Sequence, residues 1–480
     1  MTAADLLIST ASVEIYIFCA GCVVLCADLF LPREHRPNLH WATIALLLVA
    51  ASASAGTFGD EPVSALNGFF VATPFAALLK TTTLLAVAGS LAFSRRALHL
   101  FGMLQGEFHA LALFATLGML VMISAGHFLT LYLGLELMSL SLYAMIAMRR
   151  DNVDASEAAI KYFVLGALAS GLFLYGVSMI YGATGGKLFL TEVAAATTDG
   201  GLALSLGLVF MLAGLAFKLG VAPFHMWLPD VYDGAPTPMT LFIAAAPKIA
   251  AMALMLRALH GALPGLYDEW RDMLVILAAS SLALGNVTAI AQTNIKRMLA
   301  YSAIAHGGFM ALGVLAGGET GLAAAVFYVI TYALMTVGGF GIVVLMSENE
   351  KNSGNLNSLK GLASRNGLVA GVLAVLMLSM AGIPPAVGFA AKLAVLQAAV
   401  EANLTWLAVF AVLFSVVGAF YYLRVIKLMF FDSPEEETAS ISISVPVSVL
   451  VAAIGILVLV LGIFPGALLS ACEMAAQTVL

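Results

Sequence analysis

Long apolar runs, separated by short polar breaks, fill this chain from one end to the other. A helix rises about 1.5 Å per residue, so a run of roughly 18 residues or more crosses a hydrocarbon layer of about 30 Å. Such unbroken runs predict helices rather than a barrel, whose strands alternate apolar and polar residues. We place fourteen spans near residues 5–30, 40–57, 66–93, 108–124, 127–148, 157–182, 202–221, 238–259, 271–291, 298–316, 320–346, 367–400, 404–431 and 445–468.

Two of the fourteen runs are interrupted. The seventh run leads into the polar, proline-rich stretch PFHMWLPDVYDGAPTP at residues 223–238. The twelfth run is too long for one straight crossing, and it contains Gly382, Pro384, Pro385 and Gly388. Proline lacks a backbone N–H and clashes with the preceding helical turn. The sequence therefore predicts that helices 7 and 12 are discontinuous.

The layout of the spans repeats along the chain. Spans four to eight and nine to thirteen each contain five helices, with the broken helix in fourth place. Because five is odd, the second set crosses the membrane in the opposite sense, as in the inverted repeats of many transporters. We predict an all-α polytopic membrane protein with an N-terminal three-helix segment, a first five-helix repeat, a second inverted repeat and a C-terminal helix, over residues 1–100, 101–265, 266–432 and 433–480.

Composition and charge agree with a membrane protein and indicate its orientation. Of the 480 residues, 62% are hydrophobic and 10% are charged, which excludes a soluble globular domain. The net charge of −6 gives no basic surface for nucleic acid. Loops after odd-numbered spans hold thirteen Lys and Arg residues, and loops after even-numbered spans hold three. Basic residues favour the cytoplasmic side, so both termini are predicted to lie on the outer side.

Five lysines lie inside apolar spans. A lysine at mid-helix costs about 2.5–3.5 kcal/mol on insertion scales, so five unpaired ones cost about 12–18 kcal/mol. Ionisable residues inside a membrane commonly mark a path for ions or protons. The five are Lys80, Lys161, Lys218, Lys248 and Lys392.

Glu136 and Lys218 are the first candidates for proton transfer. Glu136 lies mid-span with Ser139 and Tyr143 on the same helical face, and Lys218 lies five residues before the seventh span breaks. Burial disfavours the charged form of lysine, whereas a carboxylate nearby favours it. A Glu136–Lys218 pair would therefore hold or release a proton as the partner moves. The alternative is a structural ion pair.

Lys248 and Lys392 are the second pair of candidates, and each is near a helix interruption. Lys248 directly follows Pro247 in the eighth span, and Lys392 follows Pro385 by seven residues in the twelfth. Irregular backbone at membrane depth is tolerated where it is buried in protein or lines a water-filled cavity. We expect both lysines to translocate protons, with a structural role as the alternative.

A secondary proton path has weaker candidates. Glu157 and Lys161 are spaced i, i+4, and the alternative is a simple intrahelical ion pair. His225 and His306 titrate in the range that proton relays use, but histidine in a core is often only hydrogen-bonded. Tyr301 is a weaker candidate.

Two further features carry no functional assignment from the residues alone. Cys19, Cys22 and Cys26 share one helix face, but a fourth metal ligand is missing. Free cysteine is also a common buried residue, so no metal site is predicted. Lys80 stands beside three threonines, and one interpretation is that it faces a partner subunit.

Several segments resemble a known family. The most specific is KLGVAPFHMWLPDVYDGAPTP, from Lys218 to Pro238, followed by TLFIAAAPKIAAM, which ends at Met252. NIKRMLAYSAIAHGGFM, from Asn294 to Met310, and AGIPPAVGFAAK, from Ala381 to Lys392, fit the same family. Across essentially the whole length, the chain resembles the antiporter-like membrane subunits of the proton-pumping NADH:quinone oxidoreductase, respiratory complex I.

The resemblance implies roles for four residues. Glu136 matches the family's glutamate of helix five and Lys218 its partner lysine of helix seven. Lys248 matches the central lysine of helix eight, and Lys392 the terminal lysine of helix twelve. In the family, quinone reduction in neighbouring subunits drives proton movement through these groups.

The resemblance also implies a location and partners. The expected neighbours are other membrane-arm subunits, including another antiporter-like subunit and the small membrane subunits towards the quinone site. NADH, FMN, iron–sulfur clusters and quinone are expected in those partner subunits and none in this chain. The expected location is the bacterial cytoplasmic membrane.

Two other functions stay open at the level of the sequence. A subunit of a multisubunit cation/proton antiporter would have the same lysines at broken helices but no redox partner. Apart from Asp28 near the end of the first span, no aspartate lies in the interior of a span, which disfavours a sodium site built from hard oxygen ligands. A membrane scaffold that conducts nothing is the third alternative, and the intramembrane lysines argue against it.

Overall fold

The computed structural model describes residues 10–32, 36–197, 201–347, 354–433 and 443–479. Within these residues the chain is almost entirely helical. The helices are α1 (Ser12–Phe30), α2 (Arg36–Gly56), α3 (Pro74–Leu100), α4 (Gly106–Ile123), α5 (Phe128–Ala147), α6 (Val153–Ala183), α7 (Leu202–Leu219), α8 (Trp227–Gly234), α9 (Thr237–Leu256), α10 (Tyr267–Ile290), α11 (Ile295–Ala316), α12 (Gly318–Met346), α13 (Gly367–Ala381), α14 (Val387–Glu401), α15 (Thr405–Phe430), α16 (Val445–Ile463) and α17 (Gly466–Ala476). Short helices at Leu190–Ala196 and Leu362–Arg365 lie in connections.

The predicted number of spans is confirmed. Thirteen helices among the described residues are long and apolar enough to cross a membrane. The predicted twelfth span is made of α13 and α14, each 15 residues long, which brings the number of crossings to fourteen. The predicted fourteenth span ends earlier than expected, at Ile463, and a separate short helix, α17, follows it.

The third span begins later than predicted because a small hairpin precedes it. Strands β1 (Val63–Ala65) and β2 (Phe70–Ala72) pair antiparallel, with Val63 opposite Ala72. The turn between them places Asn67 and Gly68 at φ values of 54° and 96°, a region that these two residue types tolerate. The hairpin residues are apolar and directly precede the third span, so the two form one apolar run in the sequence. Hydropathy alone could not show where the strands end and the membrane helix begins.

The two discontinuous helices end in the same way. At the end of α7, Gly220 has a φ of 75°, and its N–H donates to the carbonyls of Ala216 and Phe217. At the end of α13, Gly382 has a φ of 85°, and its N–H makes the equivalent bonds to Leu378 and Ser379. A left-handed glycine closes a helix by satisfying carbonyls of its last turn. The chain then resumes as α8 in the first five-helix set and as α14 in the second.

The centre of the bundle is formed by α9, α11 and α12. The most apolar 18-residue stretches of the spans that contain them are 100%, 94% and 83% buried, respectively. By contrast, the corresponding stretch of α16 is 22% buried. The candidate proton carriers Lys248 and His306, on α9 and α11, are therefore enclosed by protein.

Two basic residues assigned to loops are in fact buried. Arg257 is fully buried in a π-helical turn that continues α9, and its Nε donates to the carbonyl of Ile123 at 2.8 Å. Lys296, in the first turn of α11, is buried and donates to the carbonyls of Asp233 and Ala235. Without these two, twelve basic residues remain in the odd-numbered loops and two in the even-numbered loops. The charge bias is therefore preserved.

Candidate functional site

Lys218 and Glu136 lie on adjacent helices but do not form the direct ion pair that the sequence suggested. The buried ammonium of Lys218, near the end of α7, donates to Ser139 Oγ on α5 at 2.8 Å. Glu136 lies one turn before Ser139 and interacts with Lys218 through its charge. The buried Oε1 of Glu136 has no hydrogen-bond partner among the described residues. Because the ammonium of Lys218 donates to Ser139, the carboxylate of Glu136 lies near that ammonium without being its hydrogen-bond partner.

Lys248 lies on the most buried helix and bonds to the first broken helix. Its side chain is on α9, directly after Pro247, and its Nζ donates to the carbonyl of Leu219, the last residue of α7. The carbonyl end of a helix carries partial negative charge, so it stabilises an ammonium group. Lys218 and Lys248 line the same small cavity, together with Trp227.

Lys392 repeats this arrangement in the second five-helix set. Its Nζ, on α14, donates to the carbonyl of Ala381, the last residue of α13, at 2.9 Å, and to Ser415 Oγ at 2.8 Å. The same ammonium lies 5.1 Å from the ring centroid of Phe309, within cation–π distance. In each half of the protein, therefore, a buried lysine caps the carbonyl end of a half-helix.

His306 lies between the two lysine sites. It is buried on α11, with Nδ1 2.8 Å from the hydroxyl of Tyr328 and Nε2 3.2 Å from the hydroxyl of Tyr422. The charges of Lys392 and Lys248 both act on its imidazole. His306, Lys392 and Tyr422 line a second small cavity. The histidine and its two tyrosine partners therefore lie beside the Lys392 site.

The sequence missed the hydroxyl groups around His306. Tyr422 lies 2.5 Å from Ser302 Oγ, so its hydroxyl joins the histidine to a serine one helical turn away. Tyr328 is on α12 and Tyr422 on α15, far from His306 along the chain. The sequence feature that could have indicated them is a tyrosine within an apolar span, since a buried phenolic hydroxyl usually has a hydrogen-bond partner.

Glu157 and Lys161 form the intrahelical ion pair given as the alternative, and Lys161 joins it to a larger charged cluster. Their charged atoms are 2.8 Å apart, and their side chains are 59% and 41% exposed. Lys161 also contacts Asp230 on α8 at 2.8 Å, and Asp230 in turn binds Arg297 on α11 at 2.8 Å. Lys161 is therefore not a buried mid-span charge, because it lies near the start of α6.

The other two secondary candidates, His225 and Tyr301, line neither of the two small cavities that hold Lys218, Lys248, His306 and Lys392. His225 precedes α8 in the break, and its buried Nδ1 has no partner among the described residues. Tyr301 is partly buried on α11, near Arg297. In the described part of the protein, neither side chain is hydrogen-bonded to the three buried lysines or to His306.

Lys80 does not face a partner subunit. It is buried on α3, with its Nζ 2.6 Å from Glu14 Oε1 on α1 and 4.8 Å from the ring centroid of Phe70. The distance makes an ion pair, although the angles do not meet the geometry of a hydrogen bond. Elsewhere on α1, Cys19 and Cys26 are exposed.

The glycines at the two breaks allow a test of the site. A methyl group on Gly220 would clash with Leu228 Cδ1 and lie 3.0 Å from Lys248 Nζ, and one on Gly382 would lie 2.8 Å from Lys392 Cδ and 3.2 Å from its Nζ. The left-handed backbone also costs a residue other than glycine about 1–2 kcal/mol. We expect Gly220→Ala and Gly382→Ala to lower the melting temperature and to slow proton translocation.

The matched control is Gly371→Ala inside α13, where a methyl group meets no atom within 4 Å. Melting of the purified assembly and proton uptake by membrane vesicles are the two measurements. If Gly220→Ala behaved like Gly371→Ala in both, the breaks would not constrain the lysines.

Buried lysines that cap broken helices, in two five-helix sets, define an antiporter-like multi-pass membrane subunit. A family model described as NADH:quinone oxidoreductase/Mrp antiporter, TM matches residues 125–418. Over 97% of its length the chain is 53% identical to NADH-quinone oxidoreductase subunit N of Thiobacillus denitrificans, covering 96% of that protein. It is 50% identical to subunit N of Nitrosomonas europaea, with 97% of both chains covered. The chain therefore belongs to the family of NADH-quinone oxidoreductase subunit N, which confirms the resemblance found in its sequence.

Solved structures support the same assignment. A chain of respiratory complex I from Thermus thermophilus with bound aureothin has a TM-score of 0.82 and 34% identity, covering 95% of this chain and 98% of that one. A chain of the Mrp complex from Dietzia sp. has a TM-score of 0.87 at 23% identity, covering 100% and 98%. The second likeness shows a shared fold alone.

Proposed function

We propose that this chain translocates protons as a membrane-arm subunit of NADH:quinone oxidoreductase, whose electron transfer from NADH to quinone takes place in other subunits. Membership of the subunit N family supports the assignment to that enzyme. The observation that carries the mechanism is the pair of contacts from Lys248 to Leu219 and from Lys392 to Ala381. In both halves, a titratable group holds the end of a half-helix, so a change in its charge and a movement of the break are linked.

The proposed path runs from Glu136 and Lys218 through Lys248 and His306 to Lys392. Lys218 and Lys248 share one cavity, and His306 and Lys392 share the other. Each cavity has a volume of about 10 Å³, which is room for about one water molecule. A proton would therefore move between closely spaced side chains, with single waters between them, rather than through a wide channel.

Repulsion between like charges gives the path its coupling. Two ammonium groups that share a small buried cavity repel each other, and the effect is stronger than in water because the local dielectric constant is low. A proton arriving on Lys218 thus favours release from Lys248. The half-helix carbonyl of Leu219 opposes this release until the break moves. We infer that charge changes in neighbouring subunits set this sequence in motion.

We infer the surroundings from the family and from the charge bias. The neighbours would be other membrane-arm subunits, including another antiporter-like subunit and the small subunits towards the quinone site. FMN, iron–sulfur clusters, NADH and quinone would bind those partners. The bias of basic residues supports both termini on the outer side of a bacterial cytoplasmic membrane. The boundaries proposed for the two repeats, 101–265 and 266–432, begin just after α3 and just before α10.

Lys218→Ala tests the start of the path. We expect assembled complexes with this change to pump protons severalfold more slowly, because Ser139 and Glu136 lose the ammonium that they surround. NADH oxidation and dye-reported proton uptake in inverted membrane vesicles measure the effect, and a native gel reports assembly. Lys187→Ala, which changes an exposed loop lysine, is the control. Normal pumping in an assembled Lys218→Ala complex would remove this lysine from the path.

A further inference from the structure

A cavity far from the buried lysines lies where four helix ends meet. The start of α2, the ends of α3 and α12, and the start of α16 surround a volume of about 450 Å³. Its lining includes Trp41, Arg95, Arg96 and His99, with Phe93 and Leu345 among the apolar residues. Because these are all helix ends, the cavity lies at one membrane face, next to the boundary between lipid and water.

The polar side of this cavity is basic, and one of its arginines is held by an aromatic ring. Arg95, Arg96 and His99 are exposed on the last turns of α3. The guanidinium of Arg95 lies 5.6 Å from the ring centroid of Trp41, a cation–π distance that restrains it. Guanidinium groups match the geometry of phosphate oxygens, and tryptophan favours the membrane interface. The rim therefore fits a phosphate at the level of lipid head groups.

The other side of the cavity is apolar and continues towards the membrane interior. Phe93 is buried in its wall, and Leu345 and Val447 come from the two other helices. Since α16 is largely exposed along its length, this wall opens onto the exposed apolar surface of the bundle. Free phosphate makes no apolar contacts and would leave this wall uncovered. The first carbons of a phospholipid's acyl chains would pack against it.

We propose that this cavity binds an anionic phospholipid, with its phosphate against Arg95 and Arg96 and its upper acyl chains against Phe93 and Leu345. Basic pockets between membrane helices are a recurrent site for anionic head groups. The site is separate from the proton path, and its occupant joins α2, α3, α12 and α16 at one face of the bundle.

Photo-crosslinking in the intact complex tests this proposal. The complex is reconstituted in phosphatidylcholine vesicles that contain a trace of either phosphatidylglycerol or phosphatidylcholine with a photoreactive acyl chain. After illumination, labelled peptides are mapped by mass spectrometry. We expect phosphatidylglycerol to label the segments 92–104 and 443–447 preferentially. Arg95→Gln/Arg96→Gln should reduce that preference by on the order of fivefold for each arginine removed.

Two further variants sharpen the result. Trp41→Phe keeps an aromatic ring but weakens the restraint on Arg95, so it should reduce the preference less than the double change does. Lys187→Gln/Lys427→Gln removes two exposed charges that do not line the cavity and should leave the labelling of both segments unchanged.

Four outcomes would overturn the proposal. Equal labelling by the two lipids would mean ordinary membrane contact, and an unchanged preference in Arg95→Gln/Arg96→Gln would exclude these arginines. Absence of labelling by either lipid, with binding of inorganic phosphate that Arg95→Gln/Arg96→Gln abolishes, would indicate a phosphate site without a lipid. Absence of labelling, with crosslinks to a neighbouring subunit instead, would mean that protein covers the cavity.

Discussion

Lys248→Met is expected to abolish most NADH-driven proton translocation while the complex still assembles. Lys248 links the cavity of Lys218 to the end of α7, and the charge on it acts on His306. Methionine has a similar length and flexibility but carries no proton. A positioned proton-transfer group contributes about 10²–10⁴-fold, so we expect a rate loss of at least about 10²-fold.

The same substitution should not destabilise the complex, and this separates the mechanism from folding. A mid-membrane lysine costs about 2.5–3.5 kcal/mol, which its removal relieves, although the carbonyl of Leu219 loses a donor. Vesicle proton uptake and the melting temperature of the purified complex are measured together. A large loss of uptake with an unchanged or higher melting temperature is the expected combination.

Two comparisons make the Lys248 result specific. Lys427→Met removes a lysine whose side chain is 68% exposed and should change neither measurement. Lys248→Arg keeps the charge but holds its proton too firmly for transfer, so uptake should stay low. Normal pumping by the assembled Lys218→Ala/Lys248→Ala double variant would contradict the whole path.

The course of the backbone could be predicted largely from the sequence. The length of most apolar runs predicts a span, and Pro223, Gly382 and Pro385 mark the two breaks, because glycine and proline act on their own local backbone. The hairpin before α3 was missed, since Phe70 and its neighbours are as apolar as a helix. Burial of Arg257 was also missed, because hydropathy treats every arginine as a residue of the surface.

The candidate site was predictable in its members but not in its contacts. Helical spacing placed Glu136 and Ser139 on one face, yet only the position of α7 relative to α5 decides which of them Lys218 reaches. Likewise, the position of Lys248 in the sequence does not predict that its ammonium donates to the carbonyl of Leu219. For Lys161 the error was one of depth. It was expected inside a span, but α6 begins early enough to place it near the helix start.

Lys80→Met is expected to give the largest loss of stability among these substitutions. Lys80 and Glu14 have side chains only 6% and 7% exposed, and they join α3 to α1. Removing one partner of a buried ion pair leaves an uncompensated charge and costs about 3–5 kcal/mol. The carboxylate of Glu14 has no other partner among the described residues that could replace the lysine. We therefore expect a clearly lower melting temperature and less assembled complex.

The double variant Glu14→Leu/Lys80→Met decides whether the pair itself is responsible. Replacing a buried ion pair by apolar residues is often neutral or stabilising, so the double variant should regain most of the stability that either single change loses. Glu61→Gln, at an exposed acid lining a cavity that Lys80 also lines, should have no effect. If the double variant were as unstable as Lys80→Met, loss of packing rather than an unpaired charge would be the cause. Because the pair lies on α1 and α3, outside the chain of Lys218, Lys248, His306 and Lys392, the restored complex should also pump protons at the normal rate.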